Sequence, residues 1–225
     1  MKKALAVLAV AGLAAAACVP FAACGGDEAE NYTSQEVDEA TFLAAFAKEN
    51  FENVVFEGTM SSEGGEGDEY GKSTAQTKFV IDGSKEYMTA TTKYEGAAET
   101  AAGASEVTLE AYYSVGETQS DTTVYFKNEA GSWQTTTANM SYGYSMYQPS
   151  EMLEEYSFDE EDYAGFSFNE EKKGYYFDDG EDTIILKFKD GKLYYLHVTQ
   201  KMSQVTVEVS FVFTYGGQSV TLPTV

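Results

Sequence analysis

Apolar and polar residues alternate along much of the chain from Val54 onward, and this pattern favours β-strands. The clearest run is Val205–Thr214, where valine and phenylalanine fill every second position from Val205 to Phe213. Successive side chains in a strand point to opposite faces, so this run predicts one buried face and one solvated face. Because such strands follow one another without alternating helices, we expect an antiparallel sheet rather than a parallel α/β fold.

Turn residues divide these runs into hairpins. Asp82–Lys85 lies between the predicted strands Thr74–Ile81 and Glu86–Tyr94, and Asp190-Gly191 directly follows Thr183–Lys189. Asp-Gly and Gly-Ser pairs are typical of tight hairpin turns. The composition of 17 Tyr and 14 Phe against 3 Pro agrees with a β-rich domain, because aromatic residues are enriched in strands. The pattern predicts about ten antiparallel strands.

One helix is predicted before the strands. Thr33-Ser34-Gln35-Glu36 fits a capping box, and Asp38 is a second candidate N-cap. Phe42, Leu43 and Phe46 form an apolar face after them. This spacing predicts a long helix over Asp38–Asn50. Phe42 and Phe46 are expected to pack against the sheet as core residues, or to line a cavity if the sheet is open.

The stretch from Ala138 to Asp162 lacks the strand pattern and predicts a short helical insert, with Ser150 as the helix cap. The insert is rich in methionine and tyrosine and follows closely after the single tryptophan of the chain. Together these residues form one candidate set: Trp133, Met140, Tyr142, Tyr144, Met146 and Tyr147. Methionine and tyrosine adapt to apolar or sugar surfaces. These residues are therefore either a lid with ligand contacts or ordinary core that covers the mouth of the sheet.

The first 26 residues have the features of an export signal. Met1-Lys2-Lys3 is basic, Ala4–Ala17 is an unbroken apolar run, and small residues follow. These are the parts of a secretory signal. The apolar run is shorter than the ~20 residues that a helix needs to cross a bilayer, so it predicts export and not a transmembrane anchor.

Both cysteines, Cys18 and Cys24, lie at the end of this leader, so the chain after it has no thiol. The sequence Phe21-Ala22-Ala23-Cys24, followed by Gly25-Gly26-Asp27, resembles the lipobox of bacterial surface lipoproteins of the Gram-positive type. The resemblance implies lipidation of Cys24 and a lipid anchor at the extracytoplasmic face of the cell membrane. Cys18 is the alternative lipidated residue, and a secreted protein cleaved after an alanine is the alternative to an anchor.

The predicted organisation is a signal peptide at 1–23, an acidic tether at 24–37 and a single β-rich domain at 38–225. Without Lys2 and Lys3, 12 lysines stand against 37 acidic residues and no arginine, a net charge of −25. This charge repels polyanions, so no nucleic-acid partner is expected. The expected partners are the membrane, through the lipid anchor, and an apolar or lipid ligand or a cell-surface partner.

No catalytic or cofactor motif stands out in the sequence. His197 is the single histidine, and we expect a partly buried sheet residue rather than a Ser-His or metal site. One histidine and no thiol after the leader argue against a transition metal. The acidic runs Asp159–Asp162 and Asp178–Asp182 lack the EF-hand spacing for calcium and are expected to be solvated turns. We therefore expect no enzyme activity, no cofactor and no metal site.

The order of predicted elements resembles that of the LolA/LppX-like half-barrel lipoproteins of bacteria. The matching features are the lipobox, the helix Asp38–Asn50 leading into strand Val54–Met60, the strand meander, and the terminus Phe213–Pro223. The resemblance implies an α+β fold in which one long N-terminal helix precedes a large curved antiparallel sheet. That sheet forms an open half-barrel for an apolar or amphipathic ligand. The alternative is a non-enzymatic interaction or structural module at the cell surface, with a packed sheet and no cavity.

Overall fold

One antiparallel sheet of 11 strands forms the body of the protein in a computed structural model, which describes residues 26–128, 130–140, 147–154, 156 and 158–225. In chain order the strands are β1 (Asn53–Gly64), β2 (Gly71–Asp82), β3 (Lys85–Gly96), β4 (Glu106–Ser114), β5 (Thr123–Lys127), β6 (Trp133–Thr137), β7 (Ser167–Asn169), β8 (Gly174–Asp178), β9 (Asp182–Lys189), β10 (Lys192–Met202) and β11 (Val205–Tyr215). Their order across the sheet is β6-β5-β4-β3-β2-β1-β11-β10-β9-β8-β7. Over the described residues the edge strands β6 and β7 do not pair, so the sheet is not closed. The predicted antiparallel sheet is confirmed.

The first and last strands lie side by side in the middle of the sheet. β1 pairs with β2 on one side and with β11 on the other, and the β11 register runs from Val54↔Tyr215 to Gly64↔Val205. Strands that are consecutive in sequence pair within β1 to β6 and within β7 to β11, so the sheet consists of two meanders. We call the β1–β11 pairing, where the meanders join, the central seam.

Gly58 lies on the central seam at a point of close backbone approach. A Cβ atom at this position would lie only 1.8 Å from the main-chain oxygen of Ser210. Close approach of another backbone is a usual reason for glycine within a strand. A side chain at position 58 would therefore push β1 away from β11.

Two predicted hairpin turns are confirmed by the strand bounds. Gly83-Ser84 joins β2 to β3, and Asp190-Gly191 joins β9 to β10. In the second turn Asp190 has φ 54° and Gly191 has φ 71°. A type I′ turn needs positive φ at both central residues, and Asp-Gly accommodates it with little strain.

Phenylalanine side chains fill the face of the sheet that we call the inner face. Phe56 stacks on Phe79 and on Phe213, with ring centroids 4.8 Å and 5.6 Å apart. Phe211 meets Phe56 edge-on at 5.4 Å. All four rings are buried. The inner face predicted from the alternation of Val205–Thr214 is confirmed by the two β11 rings.

Five α-helices are present among the described residues, and all of them are short. They are α1 (Gly26–Asn31), α2 (Glu39–Ala45), α3 (Ala97–Ala102), α4 (Pro149–Glu154) and α5 (Glu160–Tyr163). Three 3-10 turns accompany them, at Lys48–Phe51, Gly67–Glu69 and Ala138–Met140. In the part of the chain that is described, no helix combines the length and the apolar character needed to cross a membrane.

The long N-terminal helix predicted over Asp38–Asn50 is wrong, because the chain leaves the helix after Ala45. α2 has only 7 residues and begins after Asp38, whose carboxylate accepts a hydrogen bond from the Thr41 amide at 2.8 Å. Ala47 then takes an extended conformation with φ −64° and ψ 136°, and a 3-10 turn follows. Of the two candidate starts, Asp38 is the N-cap, and no helix begins at the Thr33–Glu36 capping box. The predicted helix length is wrong.

Packing explains the break in this helix. Phe51 lies nine positions after Phe42, so in a continuous helix their side chains would point about 180° apart. The break lets both rings reach the core. Phe42 packs against Phe188 at 5.3 Å, and Phe51 packs against Phe213 at 6.2 Å. Burial of two aromatic side chains, each worth ~2 kcal/mol or more, favours the interrupted path.

Residues 26–37, predicted as part of an acidic tether, are docked on the sheet. Ala29 is fully buried, and α1 contacts β10 and β11. The amino group of Lys187, a buried residue of β9, donates hydrogen bonds to main-chain oxygens at the end of α1, those of Ala29, Glu30 and Tyr32. The Ala29 oxygen also accepts from the Tyr32 amide at 3.2 Å, whereas carbonyl groups at a helix end otherwise lack partners within the helix. The lysine therefore fixes the segment to the sheet.

Candidate functional site

A cleft of about 280 Å³ lies at one end of the sheet, between the inner face and the helical segments around α2 and α4. The sheet contributes residues near the ends of its strands: Ile81, Gly83, Glu86, Val115, Leu193 and Phe213. The helical segments contribute Phe46, Phe51, Ser150, Leu153 and Tyr156. Most of this lining is apolar, so the cleft offers an apolar surface to a ligand.

The interrupted helix turns two aromatic rings toward the cleft. Phe46 ends α2 and Phe51 ends the 3-10 turn after it, and both rings line the cavity. Phe51 also packs against Phe213, which ties this wall to β11. The Gly83 amide donates to the main-chain oxygen of Glu52 at 2.7 Å, and this bond joins the wall to the β2–β3 turn.

α4 and the residues beside it form another wall. Leu153 and Tyr156 are buried, and the Tyr156 ring lies 6.3 Å from that of Phe211. Before them, the buried Gln148 donates from Nε2 to the Ser150 hydroxyl at 2.9 Å. Its Oε1 atom has no hydrogen-bond partner among the described residues. The insert predicted to be a lid or a cover thus contributes both apolar and polar groups to this region.

Glu86 places a buried carboxyl group in the apolar cleft. It lies near the start of β3 in phase with Met88 and Ala90, and only 1% of its surface is exposed. Its Oε2 accepts a hydrogen bond from the Ser150 amide at 3.2 Å. Burial raises the pKa of Glu86 to about 7 against the effect of hydrogen bonds with the Ser150 hydroxyl and amide. The negative charge of Glu151 adds to the rise, and the positive charge of Lys48 opposes it. Near neutral pH this group therefore exists in both protonation states.

Three more charged side chains lie at the rim of the cleft, and they are Lys48, Glu52 and Glu154. All three are exposed, in contrast to Glu86. When Glu86 is ionised, the lining holds three carboxylates and one ammonium group. The resulting field favours a positively charged group in the cleft over a negatively charged one.

Two of the predicted lid or cavity residues, Phe42 and Phe46, lie side by side, with ring centroids 5.4 Å apart. Phe46 lines the cleft, whereas Phe42 is fully buried and meets Tyr163 at 4.9 Å as a core residue. Tyr147 is also buried, and burial raises its pKa to about 12. Three others of the set lie outside the described residues: Tyr142, Tyr144 and Met146.

Trp133 and Met140 lie away from the cleft. Trp133 is the register partner of Lys127, whose Nζ lies 4.8 Å from the centre of the indole ring. In β5 the core residue is Val124, so Lys127 and Trp133 point to the opposite face of the sheet. Met140 is 79% exposed. The sequence placed these side chains near the insert, but strand alternation directs Trp133 away from the inner face.

His197 is a half-buried sheet residue outside the cleft, as expected. Its Nδ1 lies 2.7 Å from the hydroxyl of Ser210, and its Nε2 lies 3.1 Å from that of Thr199. Ser210 is the direct cross-strand partner of His197, so the register alone explains their contact. Burial lowers the pKa of the imidazole. With both nitrogens bound to hydroxyls, the ring is a satisfied structural side chain.

The two acidic runs use their carboxylates to stabilise turns. In Asp178–Asp182 the Asp178 side chain accepts a hydrogen bond from the Gly180 amide at 2.8 Å. In Asp159–Asp162 the first residue caps α5 in a capping box. Across the described part of the chain, no group of three or more His, Cys, Asp or Glu residues is arranged to hold a metal ion.

Glu86 was missed by reasoning from the sequence, although a signal for it exists. In the predicted strand Glu86–Tyr94 it falls in the same phase as Met88 and Ala90. A charged residue in the apolar phase of a strand indicates a buried charge. The signal is weak because the chain has 37 acidic residues, and most such residues are solvated.

No family model matches the chain, and no curated protein is significantly similar to it. The leader sequence and the geometry of the cleft are therefore the features that point to a function.

Proposed function

We propose that this protein is a non-enzymatic lipoprotein, anchored through Cys24 at the extracytoplasmic face of the membrane, that binds an apolar or amphipathic ligand. The observation that carries the proposal is the apolar cleft of about 280 Å³ between the inner face and the segments around α2 and α4. In this proposal the sheet is a curved, open half-barrel, and those segments form its lid. A binding role requires no catalytic group.

The size of the cleft favours a small ligand. Ligand pockets commonly enclose roughly 300–1,000 Å³, and the cleft has about 280 Å³. A short acyl chain or a single ring fits such a volume better than a lipid with two long chains. Contact with Ile81, Leu153 and Phe213 removes the apolar part of the ligand from water, which contributes about 25 cal/mol per Å² of buried surface.

Blocking the cleft tests this function. Leu153→Trp adds a large ring to the wall formed by α4, so we expect the variant to lose any ligand that purifies with the wild-type protein. The measurement is native mass spectrometry combined with lipid extraction. Met140→Trp is the matched control, because Met140 is 79% exposed and lies outside the cleft. The proposal fails if the wild-type protein carries no ligand and takes up none from a membrane extract.

The anchor at Cys24 has its own test. Cys24 and Cys18 lie outside the described residues, but Gly26 begins the docked helix α1. Two residues span at most about 7 Å, so a lipid on Cys24 would hold the sheet close to the membrane. We expect Cys24→Ser to release the protein to the medium and Cys18→Ser to leave it in the membrane fraction. Retention of the Cys24→Ser protein at the membrane would contradict the anchor.

A second candidate function is a cell-surface interaction module without a ligand. The packed core at the central seam supports it, since Phe56, Phe79 and Phe211 fill the inner face there with almost no exposed surface. In that case the cleft is a surface groove and the sheet serves as a rigid support. Failure of the wild-type protein to bind any apolar compound would favour this function.

A further inference from the structure

We infer that the ligand of the cleft is an amphiphile with a protonated amine, whose ammonium group binds the carboxylate of Glu86. The inference rests on the proposed function, because it names the class of ligand for the same cleft. It distinguishes this ligand from fatty acids and from neutral lipids of similar size. Three independent properties of the cleft support it.

The first property is the position of an acceptor inside an apolar cavity. Glu86 lines the cleft, and its carboxyl group is buried rather than solvated at the rim. An ionised carboxylate offers about four acceptor positions and no donor. Ser150 occupies part of these positions, with its amide at Oε2 and its hydroxyl also bonded to the carboxyl group. A donor group on the ligand can therefore bind the same carboxylate, and a cationic donor also compensates its buried charge.

The second property is the charge around Glu86. From the segment after α2, Lys48 and Glu52 line the cleft, and from the α4 region Glu154 lines it while Glu151 acts on the Glu86 carboxyl through its charge. These groups comprise three carboxylates and one ammonium group in addition to Glu86. The chain as a whole has a formal net charge of −23. Although Lys48 attracts anions, the carboxylates outnumber it, so the field of the cleft favours an ammonium group over an anionic head group.

The third property is the kind of apolar wall that surrounds the acceptor. Four aromatic residues, Phe46, Phe51, Tyr156 and Phe213, lie in the lining beside four aliphatic ones. Ring faces attract cations such as ammonium groups, and the attraction is stronger when the site is desolvated. The same rings accept an alkyl or aryl chain. Aromatic walls with one internal carboxylate thus match an amine joined to an apolar body.

Three eight-carbon probes test the inference directly: octylamine, octanol and octanoate share one apolar chain and differ in the head group. Their binding to the protein, purified as the Cys24→Ser variant, is measured by calorimetry at pH 8, where Glu86 is mainly ionised. We expect octylamine to bind at least about tenfold more tightly than octanol, since a hydrogen bond to a charged group supplies that factor. Octanoate is expected to bind most weakly.

The Glu86→Gln variant isolates the role of the carboxylate, because glutamine keeps the shape and an acceptor for the Ser150 amide. We expect it to weaken octylamine binding about tenfold and to leave octanol binding unchanged. Unchanged octylamine binding would overturn the inference. The inference would also be overturned if octanol or octanoate bound as tightly as octylamine to the protein that retains Glu86. If none of the three probes binds, both the inference and the proposed function fail.

A pH series gives a second measurement that needs no substitution at Glu86. Octylamine affinity is expected to fall several-fold between pH 8 and pH 5, because the Glu86 carboxylate gains a proton over this range, whereas octanol affinity stays constant. The charged groups that also face this carboxyl are Lys48, Glu52, Glu151 and Glu154. Octylamine binding that does not change with pH would contradict an ion pair with Glu86.

Discussion

Glu86 shows how one residue can serve a site at a cost to the fold. Only 1% of the surface of the residue is exposed, and its carboxyl group accepts a hydrogen bond from the Ser150 amide. Burial raises the pKa of Glu86 from the usual 4.5 to about 7. Water solvates the charged form better in the unfolded chain than the cleft does in the folded protein. Ionisation of Glu86 is therefore linked to a loss of stability.

We expect Glu86 to lower the stability of the protein as the pH rises from about 4.5 to about 7. In this range the folded protein holds the proton more tightly than the unfolded chain, so unfolding releases it and becomes more favourable at higher pH. The stabilisation of the folded state by protonated Glu86 is fully present below pH 4.5 and is lost above pH 7. The free energy of unfolding falls by ~3 kcal/mol across this range. Glu86→Gln removes this pH dependence, as urea unfolding at pH 4.5 and pH 8 would measure.

Glu99→Gln is the matched control for this experiment, because Glu99 is an exposed residue of α3. It should leave the difference between the two pH values unchanged. If Glu86→Gln and the wild-type protein lose stability equally between pH 4.5 and pH 8, the carboxyl group is not buried as described.

At the scale of elements, α1 depends on tertiary contacts rather than on its own sequence. It has 6 residues, and isolated helices shorter than about 12 residues are marginal in water. Lys187 holds its end by donating to main-chain oxygens, and the ammonium group lies 5.4 Å from the ring centre of Tyr195. Burial lowers the pKa of Lys187. The buried lysine and the docked helix therefore stabilise each other.

Lys187→Met is expected to release α1 from the sheet. Methionine keeps most of the side-chain volume but removes the ammonium donor from the main-chain oxygens of Ala29, Glu30 and Tyr32, at a cost of roughly 1–3 kcal/mol. Hydrogen exchange of the amides in residues 28–35 should become faster by about tenfold or more. Lys127→Met is the control, because Lys127 is exposed and contacts the ring face of Trp133 at the opposite end of the sheet. Equal protection of α1 in both variants would show that Lys187 does not hold it.

At the scale of the whole molecule, the central seam makes the fold depend on both ends of the sheet sequence. β1 and β11 pair over 11 register positions, although β1 ends before residue 65 and β11 begins after residue 204. Phe211 and Phe213 on β11 complete the ring cluster around Phe56. Contacts so distant in sequence slow folding, because a long loop must close before they form. The two meanders therefore form one cooperative sheet.

A chain that ends after Met202 is expected not to fold, because it lacks β11. The truncation exposes the edges of β1 and β10 and removes Phe211 and Phe213 from the core. Circular dichroism should show no cooperative thermal transition. A chain that ends after Val220 is the control, since it keeps β11 and the bond from the Val220 amide to Asp82 at 3.0 Å. Cooperative unfolding of the shorter chain would contradict the role of the seam.

Local patterns in the sequence were sufficient to predict the strands and the hairpins. The alternation in Val205–Thr214 and the Asp190-Gly191 pair each specify a conformation within a few residues, and the structure confirms both. The helix over Asp38–Asn50 also followed a local pattern, but the structure interrupts it at Ala47. The packing of Phe51 against Phe213 favours this interruption of the helix, and no local sequence pattern contains that contact.

The sequence by itself determined that the chain is an antiparallel sheet protein, because alternation and turn residues act over short distances, and the export leader stays a prediction from the sequence. Only the tertiary structure decided that β1 pairs with β11, that α1 docks on the sheet, and that a cleft exists. The cleft joins Glu86, Ser150 and Leu193, which lie far apart along the chain. Their proximity arises from strand order and burial, and these depend on the packing of the whole sheet.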